Sequence, residues 1–499
     1  MKNYKYIGLF LLSLGFISCD VNNTLEAIPE VVVPEVVLNA GGLDFSTYVA
    51  VGASFTAGYT DGAMFKAAQE NSFPNILATK FKAVGGGDFI QPLMNDNIGG
   101  LLFNGTVVAP PRFYFNGSGP ERLNATPTTE LTTVLSGPFN NFGVSGAKSF
   151  HLGIAGYGAL NPYFRRMASS PGATVIGDAL ARNPTFFTLS EIGGNDVLGY
   201  ALSGGSGIDQ TGNTNPLTYG VNDITDPNVF AQVFSNMATA LTANGAKGVV
   251  ANIPYITSLP NFTTVSYNAI PLDAATATQL NAAFAAYNGG LDYVLSLGIV
   301  PTLTQAEVDK RKVTFVEGQN AVLILDEDLT DLTAINPSLT NMRQATADDL
   351  LILASSEILG TPVGGNPQYI NGVSVPLADN WVITPQEQLA IKTATDAYNT
   401  TIAAVAAANP NVTMVDFKSF LIEAATSGIV FDDYTMTTNL VTGGLISLDG
   451  VHFTARGYAL MANKILAAMD AEFGSNFTEA TNGLAIAGNY PTNYSPLLR

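Results

Sequence analysis

The chain reads as an α/β fold around a mainly parallel sheet, and three features lead there. From Phe45 onward, short β-branched or aromatic runs alternate with longer helical patterns, the sequence form of repeated strand-helix-strand crossovers. At 499 residues the chain can bury a large core as one α/β domain with long insertions. Hydrophobic residues make up 47% and charged residues only 12%, a balance that excludes intrinsic disorder and a soluble coiled coil. The formal charge of −19 repels phosphate backbones, so nucleic acid is excluded as a partner.

Taken in chain order, Lys2 and Lys5 precede an apolar run from Ile7 to Ile17 that ends at Ser18-Cys19, the layout of an export signal over residues 1–18. The run is too short to span a bilayer, and no later segment is an uninterrupted apolar stretch of the roughly 20 residues needed. Cys19 is the only cysteine, so an intramolecular disulfide is impossible. Residues 19–44 repeat Pro29-Glu30-Val31-Val32 as Pro34-Glu35-Val36-Val37, which suits an extended tether. Strands are expected at Tyr48 to Val51, Asn141 to Val144, Phe186 to Ile192, Gly248 to Ile253 and Thr413 to Phe417. Pro227 and Asn228 open a helix that Gly245 closes, Thr384-Pro385-Gln386-Glu387 opens one that Asn409-Pro410 stops, and Ala455 to Phe473 ends at Gly474. Two insertions interrupt this domain of residues 45–480, at about 85–137 and 255–379. The second holds a helical pattern at Asp273 to Leu297 and a possible hairpin, Lys312 to Val316 with Ala321 to Leu325. Residues 481–499 form a tail.

The chemistry-bearing residues sit at strand ends. Tyr48 to Val51 runs into Gly52-Ala53-Ser54, placing a serine where open α/β sheets keep their ligand crevice. A serine hydroxyl needs a base, and the chain has two histidines, His151 and His452. Asp449 lies three residues before His452, so a turn can set its carboxylate against one imidazole nitrogen while the other faces a serine. Taken alone, His452 reads equally as a solvated histidine at a helix start. The run Phe186 to Leu189 leads into Gly193-Gly194-Asn195-Asp196, where an amide can donate to a developing oxyanion. Gly146, after the Asn141 strand, can offer a backbone N–H to the same oxygen. His151 has no carboxylate at triad spacing and suits a structural or substrate-contact role. Paired cysteines and an HExxH pattern are missing, so no metal is expected in this chemistry.

Together these four blocks resemble the GDSL family, or SGNH hydrolases, from Tyr48 to His452. The resemblance implies a three-layer α/β/α, flavodoxin-like domain with a mainly parallel five-stranded sheet. It also implies an ester hydrolase with Ser54 as nucleophile, His452 as base, Asp449 as the acid of the triad, and the Ser54 and Gly146 amides with Asn195 as oxyanion hole. No cofactor is expected; the partner would be a small-molecule or lipid ester, with carbohydrate O-acyl esters as the alternative and a non-catalytic, ligand-binding surface lipoprotein as the reading from a different class. Phe16-Ile17-Ser18-Cys19 resembles the bacterial lipobox, which implies acylation of Cys19, export, and attachment to the outer membrane of the cell envelope through that lipid alone. Three positions depart from the hydrolase pattern. Ala53 stands where Asp is common, so the nucleophile loop must be held some other way. Phe453 stands where Pro is common and would alter the pocket wall. Glu191 brings a carboxylate near the oxyanion region, where an unpaired charge would oppose a developing anion; it is expected to face the sheet's neighbours. The α/β-hydrolase elbow Gly-x-Ser-x-Gly fails because Thr56 is the second residue after Ser54.

Overall fold

Five strands form the central sheet of the computed structural model, which describes residues 35–499. They are β1 (Tyr48–Gly52), β2 (Asn141–Gly143), β3 (Phe186–Leu189), β4 (Lys247–Ala251) and β5 (Val412–Val415). All pairings are parallel, in the order β2-β1-β3-β4-β5, with Ala50 opposite Asn141, Tyr48 opposite Phe186, Phe187 opposite Gly248 and Val412 opposite Gly248. This is the flavodoxin-type order, whose switch point lies between β1 and β3. Every residue of β1 and β3 is buried, as near-continuous apolar runs are when a sheet is covered on both faces. The expected export signal, Cys19 and the first copy of the proline repeat, Pro29 to Val32, lie outside the described residues.

Helices cover both faces. The labels used are α1 (Ser54–Ala57), α2 (Phe73–Lys82), α3 (Asn195–Leu202), α4 (Pro227–Thr242), α5 (Ala274–Leu297), α6 (Pro385–Ala408), α7 (Phe417–Thr426) and α8 (Ala455–Phe473). α8 packs on α2, β4 and β5 from one side, and α6 packs on α3, α4 and the same two strands from the other, giving three layers, α/β/α. The expected start and stop residues act as caps. Asp226 accepts from the N–H groups of Asn228 and Val229 at 2.8 and 3.0 Å, Thr384 and Glu387 form a reciprocal capping box, and Gly474 ends α8 in the left-handed conformation.

Four strands end sooner than expected, β2 by a single residue at Gly143 and three others by two or more. β3 stops at Leu189 because the backbone turns at Glu191, whose φ is +47°. β4 and β5 stop at Ala251 and Val415, where Asn252 donates to Asp416 Oδ1 at 2.7 Å and accepts from the Lys418 N–H at 2.9 Å. The side-chain amide thereby takes backbone and carboxylate groups that a longer ladder would have left free.

The 255–379 insertion carries apolar clusters of its own. Phe284, Tyr287 and Leu291 of α5 pack with Val308, Leu323 and Leu339, and Ile270, Val322, Ile324 and Leu377 form a second group. The hairpin expected within it does not form. Gly318–Asn320 pairs instead with Ile270–Leu272, and Leu323–Leu325 with Met342–Gln344, both antiparallel. The reason lies in α5: Asn288 binds both backbone groups of Val313, and Asn281 both of Phe315, at 2.8 to 3.0 Å. The groups a hairpin partner would have used are already taken. In the 85–137 insertion, Leu101–Phe103 pairs with Thr106–Ala109 and Phe113–Phe115 with Pro120–Arg122. The buried Arg112 guanidinium donates to the carbonyls of Tyr494, Ser495 and Leu498, fixing the C-terminal residues to this segment. No helix among the described residues is long and apolar enough to cross a membrane.

Candidate active site

β1 ends at Gly52 and the chain enters α1 two residues later. A Cβ on Gly52 would fall 2.1 Å from Thr56 Oγ1 and 2.7 Å from the Ser190 carbonyl, so only glycine lets α1 fold back over the strand end. Ser54 is thereby held at the carboxyl edge of the sheet, 7% exposed. The segment bearing His452 arrives there through cross-ties to the loop after α1. The Asp61 N–H donates to Ser447 Oγ at 3.1 Å, Asp61 Oδ1 accepts from the Leu448 N–H at 3.1 Å, and Thr60 Oγ1 donates to the Phe453 carbonyl at 2.8 Å.

These ties bring together residues 398 positions apart: His452 Nε2 lies 2.9 Å from Ser54 Oγ. Its Nδ1 lies 2.9 Å from Asp449 Oδ2. With the ring proton on Nδ1, directed at the carboxylate, Nε2 is free to accept from the serine. Asp449 Oδ2 also accepts from the Gly62 N–H at 2.8 Å, and Oδ1 from Ser447 Oγ, Val451 N–H and His452 N–H at 3.0, 2.9 and 2.9 Å. Burial alone would push this carboxyl up. The imidazole charge and the converging donors outweigh it and hold Asp449 well below the usual carboxylate range. Tyr59 and Phe55 flank the imidazole, with ring centroids 4.6 and 5.5 Å away.

Glu191 supplies what Ala53 lacks. Its Oε1 accepts from the N–H groups of Ala53 and Thr56 at 2.6 and 2.8 Å, and Oε2 accepts from Thr56 Oγ1 at 3.1 Å. The carboxylate therefore grips the backbone on both sides of Ser54 from the end of the neighbouring strand. The residue is partly exposed but its carboxylate is enclosed; burial pushes the group up to about 7, against the lowering effect of the hydrogen bonds from Thr56 and Ala53.

Gly146 and Asn195 meet at the same edge. Asn195, the first residue of α3, donates through Nδ2 to the Ala147 carbonyl at 2.9 Å. The next residue, Asp196, is fully buried and accepts from Ser149 N–H and Oγ at 2.8 and 2.6 Å. The loop carrying Gly146 is thus pinned to the start of α3 at two points. Among the described residues the N–H groups of Ser54 and Gly146 have no acceptor. Ser54 and Asn195 line a cavity holding about 740 Å³ of atom-free space, part of it open to solvent. Its walls are apolar, including Leu198, Ile253, Leu259, Phe417, Leu421 and Met461. Phe453 also lines it, its ring tilted against those of Phe55, Phe420 and Tyr458.

His151 stands apart from this chain of groups. Its Nδ1 accepts from the Lys148 N–H at 3.1 Å and its ring stacks on Tyr157 with centroids 4.7 Å apart. Burial first, and the Lys148 charge second, lower it to about 4, so it is a neutral packing residue at pH 7. Two supporting residues escaped sequence reasoning: Asp196, for which no local pattern exists, and Glu191 as a brace, for which the unexplained Ala53 was the available signal. Among the described residues, the one group of potential metal ligands is Glu327, Asp379 and Glu387, which shares no member with the serine site.

Fold and geometry together define a parallel α/β protein with a Ser-His-Asp hydrogen-bonded chain beside an apolar cavity. No family model, curated protein or solved structure matches the chain.

Proposed function

We propose that the protein is an SGNH-type serine hydrolase of carboxylic esters, exported and tethered to the bacterial envelope through a lipid on Cys19. The observation that supports it most strongly is the unbroken hydrogen-bonded chain from Ser54 Oγ through both nitrogens of His452 to Asp449, each contact 2.9 Å long. Ser54 Oγ adds to the acyl carbonyl carbon as its proton passes to Nε2, and Asp449 stabilises the resulting imidazolium. The carbonyl oxygen, now negative, is held by the Ser54 and Gly146 N–H groups and Asn195 Nδ2. The bond to the alcohol oxygen breaks as His452 returns the proton to it. Water then repeats the sequence on the acyl-enzyme and releases the acid. The acyl substituent occupies the apolar cavity, which favours acyl-lipid or short-chain esters over acetylated glycans.

The test is covalent labelling of the purified mature chain with a fluorophosphonate, with Ser54→Ala as control. Labelling of the wild type alone is the expected result; an unlabelled wild type would leave a binding protein in place of an enzyme. A series of nitrophenyl esters set against acetylated glycans then reads the substrate class, and a sharp preference for the glycans would overturn the acyl-lipid assignment.

A further inference from the structure

The acidic cluster, which shares no residue with the serine site, has features that the esterase reading does not use. One carboxylate oxygen from each of Glu327, Asp379 and Glu387 lies within 4.8 Å of the other two. Calcium binds oxygen at about 2.3–2.6 Å, so ligands on opposite sides of one ion stand about 5 Å apart, and this spread suits a shared ion. Glu387 is only 5% exposed. Its Oε2 is engaged, accepting from the Thr384 N–H and Oγ1 at 2.6 and 3.0 Å, but its buried Oε1 has no hydrogen-bond partner. An anionic oxygen buried without a partner is strongly unfavourable.

The surroundings make the deficit sharper. Among the described residues, none of the three carboxylates has a lysine or arginine ion-pair partner. The cations nearest in sequence are committed elsewhere, Lys392 to Asp396, Lys312 to Asp292, and Arg343 to Asp326 and Asp349. The turn after α3 closes directly over the free oxygen: a Cβ on Gly205 would fall 1.5 Å from Glu387 Oε1.

We propose that Glu327, Asp379 and Glu387 form a calcium site that fastens the 255–379 insertion to the first turn of α6. Glu327 follows the strand Leu323–Leu325, Asp379 opens the short turn Asp379–Trp381, and Glu387 lies in α6, so one ion crosslinks three separate segments. Hard oxygen donors from the protein at this spacing favour Ca²⁺ over Mg²⁺, which keeps its waters and demands a tighter octahedron. The site is independent of the ester chemistry.

The test uses the mature chain, stripped with chelator and titrated with CaCl₂ at pH 7.5. Saturating Ca²⁺ raises the melting temperature by about 3 °C, the rise expected from ligand near a hundredfold above its dissociation constant in a chain of this size. Tb³⁺ reports the same site through the single tryptophan, Trp381, two residues from Asp379: excitation of the indole gives sensitised emission that Ca²⁺ competes away. Glu327→Gln, at an exposed position where folding is not at risk, weakens Ca²⁺ binding about tenfold, and Glu387→Gln, which preserves the contact to Thr384, abolishes it. A wild-type melting temperature indifferent to Ca²⁺, or a shift that survives undiminished in both variants, overturns the proposal and leaves a set of carboxyls that share protons.

Discussion

Replacing Glu191 separates two functions of one side chain, and the structure sets the size of each. Glu191→Ala leaves the N–H groups of Ala53 and Thr56 without acceptors, contacts that are 2.6 and 2.8 Å long in the native loop. An unpaired buried donor costs about 1–3 kcal/mol, and because the residue is partly exposed and water can refill part of the gap, the expected loss of stability is about 2–4 kcal/mol. Ser54 lies between those two N–H groups, so freeing them displaces the nucleophile from His452; a shift of about 1 Å lowers turnover about 100-fold. Glu191→Gln behaves differently. Its carbonyl oxygen can accept both N–H groups while its amide donates to Thr56 Oγ1, so turnover stays within about threefold of wild type. The same change removes a carboxyl that burial pushes up to about 7 from an ordinary value of 4.5. Between those two values the folded chain holds a proton that the unfolded chain has released, so the contribution of this group to stability is fullest below pH 4.5 and is lost as pH rises through 7. At about 1.4 kcal/mol for each pH unit separating the two values, this one group contributes a decline of a few kcal/mol at most. Urea denaturation at intervals from pH 4.5 to 8, with ester turnover measured on the same samples, reads both effects. The reasoning fails if Glu191→Gln shows the wild-type slope of stability against pH, or if Glu191→Ala retains wild-type turnover.

The remaining expectations are simpler. Asn195→Ala lowers kcat about 100-fold with little change in KM, in keeping with the loss of one oxyanion donor; steady-state kinetics on a nitrophenyl ester checks it. Asp449→Asn lowers kcat about 10³- to 10⁴-fold because the amide no longer fixes the ring proton on Nδ1 or balances the imidazolium, while circular dichroism shows an intact fold. Leu198→Trp, at the partly exposed rim of the cavity, lowers the ratio of kcat/KM for octanoate over acetate esters about tenfold or more, since the methylenes that reach past this point lose their apolar surroundings. Arg112→Met strands the carbonyls of Asn97, Tyr494, Ser495 and Leu498 that the guanidinium now serves; denaturant unfolding should show a loss of about 3 kcal/mol.

The parts of the fold that could be read from sequence are those fixed by nearby residues. α8 spans Ala455–Phe473 as expected because Thr454 caps its start and Gly474 its end, and α5 begins at Ala274 because Asp273 accepts from the Thr276 N–H at 2.7 Å. β1 and β3 were legible as apolar runs because both faces are buried, and the one hydroxyl in β3, Thr188, is paired with the Tyr48 hydroxyl. What failed depended on distant partners. The segment around Val313 looks like a strand by composition, yet Asn281 and Asn288 of α5, 34 and 25 residues away, hold its backbone. Ser190-Glu191-Ile192 reads as the end of a strand, but Glu191 turns there to serve Ala53, 138 residues earlier. Spacing alone could not join Ser54 to His452 either; that pairing came from the order of the four blocks and the family they resemble.

Three carboxyls converge on the two loops that make this pairing, and their surroundings divide the labour among them. Asp449 receives five donors, one of them the imidazole, and is kept ionised in spite of burial. Asp61 and Glu191 are equally enclosed but meet fewer donors and touch no imidazole. Burial dominates at both, raising Asp61 to about 7 from 3.8, with the Leu448 N–H and the Arg112 charge opposing it, and Glu191 to about 7 from 4.5. Only Asp449 is held well below the usual carboxylate range, and it is the one placed against the ring that becomes a cation in the proposed reaction. The other two act as acceptors for backbone and hydroxyl groups, Asp61 tying the loop after α1 to the His452 segment and Glu191 tying α1 to β3. A charge on Glu191, which takes the N–H groups on either side of Ser54, would work against the oxyanion of the proposed reaction, and the upward push of burial on that carboxyl lessens the opposition.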